Sequence, residues 1–323
     1  MSARRWFILT IATIAAGVAL TAASAYLIDP YGMWRNPSGR RLAAYYSERK
    51  VKFLLTKRYV PTNFEGLTIG PSNCMTWNIQ KLTGARMYNE CQPGGNAAEM
   101  QLIVDQALPL AHFKIALIVL HPTATHSADF HDGLETTPAT EGMWSIHVLV
   151  HELAYMLRAG HVHFPRDKTP DDGMVLRVEG NGLKGVPLSD QYFYIDPQAV
   201  ADYRRLTQDL QSRGTTVIYV IPPIYQACYD ANKAAYQKYA TTLVPQLPPA
   251  PLIDFDGSEY ADFRSNVSNF HDCHHVNLNG AAKIDAILER LVPPLLSHTA
   301  IAGDRAPASR ISSTEAPQHG PKS

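Results

Sequence analysis

DPQAVADYRRLTQDLQSRGTTVIYVIPP, residues 196–223, holds a helix with both of its ends and the strand that follows it. Asp196 offers a side-chain acceptor just ahead of Pro197, whose fixed φ and missing N–H suit a first helical position. Val200, Tyr203, Leu206 and Leu210 recur at three- and four-residue spacing, so they share one face of a helix over Pro197 to Arg213. Gly214 ends it, because glycine reaches the left-handed conformation that commonly closes a helix. Thr216 to Ile221 is then a mostly apolar run without alternation, the pattern of a strand covered on both faces. A helix delivering the chain to such a strand is the repeating unit of a parallel α/β sheet.

The same alternation extends both ways along the chain. Short apolar runs at Leu67 to Gly70, Ala85 to Tyr88, Ile115 to Leu120 and Leu252 to Phe255 are each followed by turn residues, with Arg86 interrupting the second. A last helix near Ala281 to Leu291 carries Ile284, Ile287, Leu288 and Leu291 on one side. Strands alternating with helices predict a right-handed, doubly wound α/β sheet with five parallel strands. Two stretches break the rhythm. Residues 121–195 are far too long for an ordinary strand-to-helix connection and hold Trp144, an Asn181-Gly182 turn and seven histidines; an insertion of this kind tends to cover or shape a binding site. Residues 299–323 are rich in Ala, Pro, Ser and Gly without an apolar period, which predicts a disordered tail.

The composition of the 323 residues, 46% hydrophobic and 18% charged, suits one enzyme-sized domain rather than a disordered chain. Lys+Arg 29 balances Asp+Glu 29, so no excess of positive charge points to nucleic acid. At the N-terminus the run from Trp6 to Ile28 carries no formal charge and follows Arg4 and Arg5; as a helix it is long enough for ~30 Å of hydrocarbon. Ala23-Ser24-Ala25 also reads as a small-residue cleavage site, so residues 1–30 are either a transmembrane anchor or a signal peptide. Both readings export the domain of residues 31–298, to the periplasm of a Gram-negative cell when the helix is kept in the inner membrane, or as a secreted protein when it is cleaved. Cysteines at 74, 91, 228 and 273 fit an oxidising compartment, and four of them allow three pairings.

Ligands of open parallel sheets bind beyond the carboxyl ends of the strands, so chemistry is sought there. After the first strand, Gly70-Pro71-Ser72-Asn73 puts a serine on a tight strand-to-helix turn, where free N–H groups favour developing negative charge. Near the C-terminus, Asp272 stands three residues ahead of His275; the carboxylate can hold the imidazole tautomer and support its protonated form. Tyr88 to Asn96 runs on from the second strand and contains Gly94, where the backbone can approach a ligand closely and donate its N–H to an oxyanion. Other histidines, notably His121, His126, His131, His147, His151, His161 and His163, invite a metal. The glutamate that metallohydrolase helices place right after their first histidine is missing at Ile146-His147-Val148, so neither a metal nor a cofactor is expected.

Together, Ser72 after the first strand, Gly94 after the second, and Asp272 with His275 before the last helix resemble the block pattern of the SGNH, or GDSL-type, hydrolase superfamily. His275-Val276-Asn277-Leu278-Asn279-Gly280 resembles its final block and is the most specific part. Asp29-Pro30 ahead of Gly70-Pro71-Ser72 looks like the membrane-anchored bacterial branch that contains O-acetyl esterases and acyltransferases of cell-surface polysaccharides. The resemblance implies a three-layer α/β/α, flavodoxin-like domain with Ser72 as nucleophile, His275 as base and Asp272 as its orienting partner. It also implies an oxyanion hole from Ser72 and Gly94, an acylated carbohydrate or other acyl donor as substrate, and a membrane partner that passes acyl groups across the bilayer. The family's third block supplies an asparagine to that hole, whereas here the third strand ends in Leu120-His121-Pro122-Thr123. Asn73 or Asn96 can take its place, or two backbone donors remain. His274 is the alternative base, and an inactive polysaccharide-binding or assembly subunit the alternative function.

Overall fold

The computed structural model describes residues 2–28, 33–34, 48–79, 85–129, 134, 172–174, 186–299 and 310–311. The apolar N-terminal run forms one helix, α1 (Ala3–Ile28). Two shorter helices, α2 (Glu48–Leu55) and α3 (Tyr59–Asn63), lead into the sheet. From there the order is β1 (Gly66–Ile69), β2 (Met87–Asn89), α4 (Ala97–Ala107), β3 (Ile115–Val119), α5 (Pro197–Ser212) and β4 (Thr216–Ile221). Helices α6 (Gln226–Ala231) and α7 (Lys233–Leu243) precede β5 (Leu252–Asp254), and α8 (Ala261–Ser265) and α9 (Leu278–Thr299) follow it. All pairs are parallel, in the order β2-β1-β3-β4-β5, with the two-residue β6 (Arg310–Ile311) beside β5.

Each strand feeds two cores, which is why the runs read as continuous rather than alternating. Leu67, Ile69, Ala116, Ile118, Val217 and Tyr219 belong to one apolar cluster with Val200, Tyr203, Leu206 and Leu210 of α5 and Met100, Ile103 and Val104 of α4. Ile115, Leu117, Val119, Ile218, Val220 and Ile253 turn to the other side and meet Ile284, Leu288 and Val292 of α9. The expected five-stranded, helix-covered sheet is therefore present, with strand ends shifted by one or two residues at most. Helix α5 starts as read from the sequence: Asp196 accepts from the Gln198 N–H at 2.8 Å, and Gly214 takes φ 81° just past its end.

The last helix is longer than Ala281 to Leu291. It begins at Leu278 because Asn277 accepts an N–H of its first turn, that of Gly280 at 3.0 Å. It runs on through Pro293 and Pro294 because its apolar face continues in Val292, Leu295 and Leu296 against the core. Gly280 is required by close approach, since a Cβ there would meet the Asn269 carbonyl at 2.1 Å. The chain reverses its order between β1 and β3, and in sheets of this topology the crevice beyond that point is the binding position. Trp144, the Asn181-Gly182 turn, His131, His147, His151, His161, His163, Asp29-Pro30 and all of the 299–323 tail except Thr299, the end of α9, and the β6 pair lie outside the described residues.

Candidate active site

Ser72 stands on a single turn of 3-10 helix, Ser72–Cys74, and no α-helix follows it up to Ile79. The expected full helix N-terminus is absent because the carbonyls that would continue one are taken elsewhere. The Asn89 side-chain amide, at the end of β2, donates to the carbonyls of Cys74 at 2.8 Å and Trp77 at 2.9 Å. Cys74 is also tied to Cys91 by a disulfide. The serine turn is thus pinned to the end of β2, where free N–H groups rather than a macrodipole face the crevice.

The base arrives on a tight loop. Phe270 and Val276 form an antiparallel bridge, and the His271 N–H donates to the His275 carbonyl at 2.8 Å, which brings residues 272 and 275 face to face. Asp272 Oδ1 accepts the backbone N–H groups of His274 and His275, each at 2.8 Å. Both carboxylate oxygens reach His275 Nδ1, at 2.9 and 2.8 Å. Burial works to raise the Asp272 pKa, but the His275 ring and the two N–H groups outweigh it and hold the carboxyl below its usual range. A carboxylate on Nδ1 leaves Nε2 as the nitrogen that can accept, and Nε2 lies 2.7 Å from Ser72 Oγ. Serine, imidazole and carboxylate are therefore joined in one hydrogen-bonded chain across 203 residues of sequence. His274 is turned away, with Nε2 3.3 Å from the Val186 carbonyl, so of the two histidines it is His275 that meets Ser72.

The loop after β2 closes the other side. The Gln92 N–H donates to the Gly70 carbonyl at 3.0 Å, and the Gly95 N–H returns to Gln92 at 3.1 Å. This makes Gln92-Pro93-Gly94-Gly95 a turn with Pro93 second and Gly94 third, where φ is 61° as glycine permits. The N–H groups of Ser72 and Gly94 bond no group among the described residues. The side-chain amides of Asn73 and Asn96 are engaged: Asn73 Nδ2 donates to the His274 carbonyl at 2.7 Å, and Asn96 Nδ2 to the Asp129 carbonyl at 2.6 Å. Asn96 is instead the N-cap of α4, sharing a capping box with Glu99. Each of these bonds uses one of the amide's two N–H groups and ties its asparagine to a neighbouring carbonyl.

Two basic residues that sequence reading passed over build the same loop. Lys52 of α2, fully buried, donates to the carbonyls of Asn89 at 2.9 Å and Cys91 at 2.6 Å. Arg49 bonds the Pro93 carbonyl and the Glu99 carboxylate. Their signal was an eight-residue segment with Val51, Phe53, Leu54 and Leu55 set among its charges, too short to read as an amphipathic helix. A cavity of about 770 Å³ opens elsewhere, past the end of β5, lined by Tyr229, Tyr236, Asp256 and Arg264 among others but by none of Ser72, Asp272 and His275. Among the described residues no group of three or more His, Cys, Asp or Glu is placed to hold a metal.

No protein-family model matches the chain. No curated protein matches it either. A solved structure from Streptococcus pneumonia, provisionally named a platelet activating factor, matches at 12% identity and a TM-score of 0.39, over 75% of this chain and 90% of that one.

Proposed function

We propose that the chain is an exported serine esterase or O-acyltransferase of the SGNH type, acting on acyl esters, acetyl foremost, of a cell-surface carbohydrate. The observation that supports it is the Ser72, His275 and Asp272 hydrogen-bonded chain. In this reading Ser72 Oγ attacks the acyl carbonyl while His275 Nε2 takes its proton, and Asp272 stabilises the imidazolium that forms. The free N–H groups of Ser72 and Gly94 receive the oxyanion. Collapse of the tetrahedral adduct releases the alcohol with the proton from His275 and leaves an acyl-serine. Water then gives hydrolysis, and a sugar hydroxyl gives transfer; a transferase also needs an acyl donor, supplied by a membrane partner. Export is supported by the apolar α1 and by four cysteines that are all paired, since cytosolic proteins seldom keep disulfides.

A binding or assembly subunit on the same fold is the second reading, favoured by one observation: the third strand ends in Leu120-His121-Pro122-Thr123, without the asparagine of the family's third block. One experiment separates the two. The full chain in detergent is treated with a fluorophosphonate probe, alongside Ser72→Ala and His275→Ala. Labelling of the wild type, abolished in the first variant and slowed on the order of 10²–10⁴-fold in the second, is the expected result. A folded wild type that takes no label sinks the enzyme reading.

A further inference from the structure

At the carboxyl end of β3, the neighbour of the strand that leads into the serine turn, stands a buried histidine with one ring nitrogen that meets no partner among the described residues. His121 is 2% exposed. Its Nδ1 lies 3.3 Å from the Thr123 backbone nitrogen and 2.8 Å from the Thr123 hydroxyl. A backbone N–H only donates, so Nδ1 is the acceptor and the ring proton sits on Nε2. That Nε2–H meets no acceptor among the described residues. A buried donor without a partner costs about 1–3 kcal/mol, so a fold that keeps one at a site has a use for it when a ligand arrives.

Its position is fixed by the sheet. Strands β1 and β3 pair Gly66 with Ile115 and, three steps on, Ile69 with Ile118. The contact persists past the paired residues, since a Cβ on Gly70 would sit 2.7 Å from that of Val119. The two chains thus leave the sheet side by side at its switch point, β1 into the turn that carries Ser72 and β3 into His121. From the other side, the His121 ring meets that of His274, the neighbour of His275, edge to face at 5.9 Å between centroids. Burial, and then the nearby His274 and His275, hold the His121 pKa well below its usual value. At neutral pH the ring is therefore an uncharged N–H donor. Neutral imidazole is suited to polarising a carbonyl, because it adds a donor without placing a second cation beside the base.

We propose that His121 is a catalytic residue whose Nε2–H is the third donor to the acyl oxyanion, joining the N–H groups of Ser72 and Gly94. This rests on the serine-esterase reading above. It assigns the role to a ring N–H that has no acceptor among the described residues and leaves Asn73 and Asn96 in the structural bonds they make.

Substitution at 121 separates this role from a structural one, because the two ring nitrogens can be replaced one at a time. Glutamine places an amide N–H near the Nε2 position and removes the acceptor for Thr123; asparagine does the reverse. Full-length wild type, His121→Ala, His121→Gln and His121→Asn are assayed in detergent with p-nitrophenyl acetate, with thermal melting as the check on folding. Alanine should lower kcat by about 10²–10³-fold with KM little changed, glutamine should recover about tenfold or more of that loss, and asparagine should not. Recovery by asparagine alone would assign His121 to holding the Thr123 turn and overturn the proposal, as would an alanine variant within about threefold of wild type. If His121→Ala does not fold, the comparison of glutamine with asparagine decides in the same way. A wild type inert to both the ester and the fluorophosphonate overturns the esterase reading and this proposal with it, whereas an active wild type indifferent to His121 overturns this proposal alone.

Discussion

Asp272 does two things with one carboxylate: its Oδ1 accepts two backbone N–H groups that shape the loop, and both oxygens lie within hydrogen-bond distance of His275 Nδ1, whose N–H they accept. Asn in its place keeps an oxygen for the N–H groups but presents an amide donor to the ring, which disfavours the tautomer whose Nε2 faces Ser72. Asp272→Asn should therefore lower kcat for an ester substrate on the order of 10³–10⁴-fold while the protein stays folded. A loss under tenfold would mean that the ring is held in place by its surroundings instead. The same carboxylate makes a pH prediction. Its pKa is lower in the folded protein than in the unfolded chain, where it is about 3.9. The folded state thus binds fewer protons, so the stabilisation is present above that value and is lost as pH falls through the folded pKa. The gap in melting temperature between wild type and Asp272→Asn should be wide at neutral pH and should begin to narrow below about pH 4, narrowing further as the pH falls; a gap unchanged between pH 7 and pH 2 assigns the effect to packing.

Each disulfide has one sulfur inside a segment that carries the proposed chemistry. Cys74 is two residues past Ser72, and Cys273 lies between Asp272 and His274. Their partners sit on the supports: Cys91 stands near the start of the loop after β2, and Cys228 lies on α6 in a small apolar cluster with Ile224, Tyr229 and Tyr236. Cross-links 17 and 45 residues apart restrict the unfolded chain, and here they also hold two loops on which a 2.7 Å contact depends. Replacing Cys228 and Cys273 by alanine should cost roughly 2–4 kcal/mol of stability. It should also lower kcat at a temperature where the variant is still folded, a drop that stability alone does not produce; unchanged kcat there would make the bridge purely a staple. At this scale the sequence is legible where a local rule decides. Parallel strands buried on both faces must be short apolar runs, and Asp196, Pro197 and Gly214 mark the ends of α5 by their own backbone chemistry. Residue types and spacing also pick out Ser72, Asp272 and His275, because a carboxylate three residues from a histidine acts within one loop. The rest depends on distant partners: which sulfurs meet, whether Asn89 intercepts the helix after Ser72, and whether Asn96 caps a helix or faces a substrate. Those are settled by the assembled sheet, and no local pattern carries them.

For the molecule as a whole, the site and its N-terminal helix make different demands on solvent. Helix α1 is about 39 Å long at 1.5 Å per residue, enough for the hydrocarbon core of a bilayer, and Trp6, Phe7, Ile14, Val18 and Leu20 all point away from the domain. Left in water those side chains would form a large apolar patch, so α1 either spans a membrane or is removed on export. In the export proposed above, Arg4 and Arg5 would keep the N-terminus in the cytoplasm and the disulfide-bearing domain outside. The domain's strands and core are complete without it, since α1 contributes no residue to either sheet-face cluster. The full chain should therefore sediment with membranes and resist alkaline carbonate, while a chain lacking residues 2–28, exported behind a cleavable signal, should be soluble and keep its rate on p-nitrophenyl acetate within about threefold. N-terminal sequencing of the membrane fraction distinguishes the anchor, which retains α1, from a signal peptide cut after Ala25. An intact chain released by carbonate would show that α1 does not span the bilayer. A soluble chain that has lost its esterase rate would show that the helix, or a partner it docks against in the membrane, completes the site.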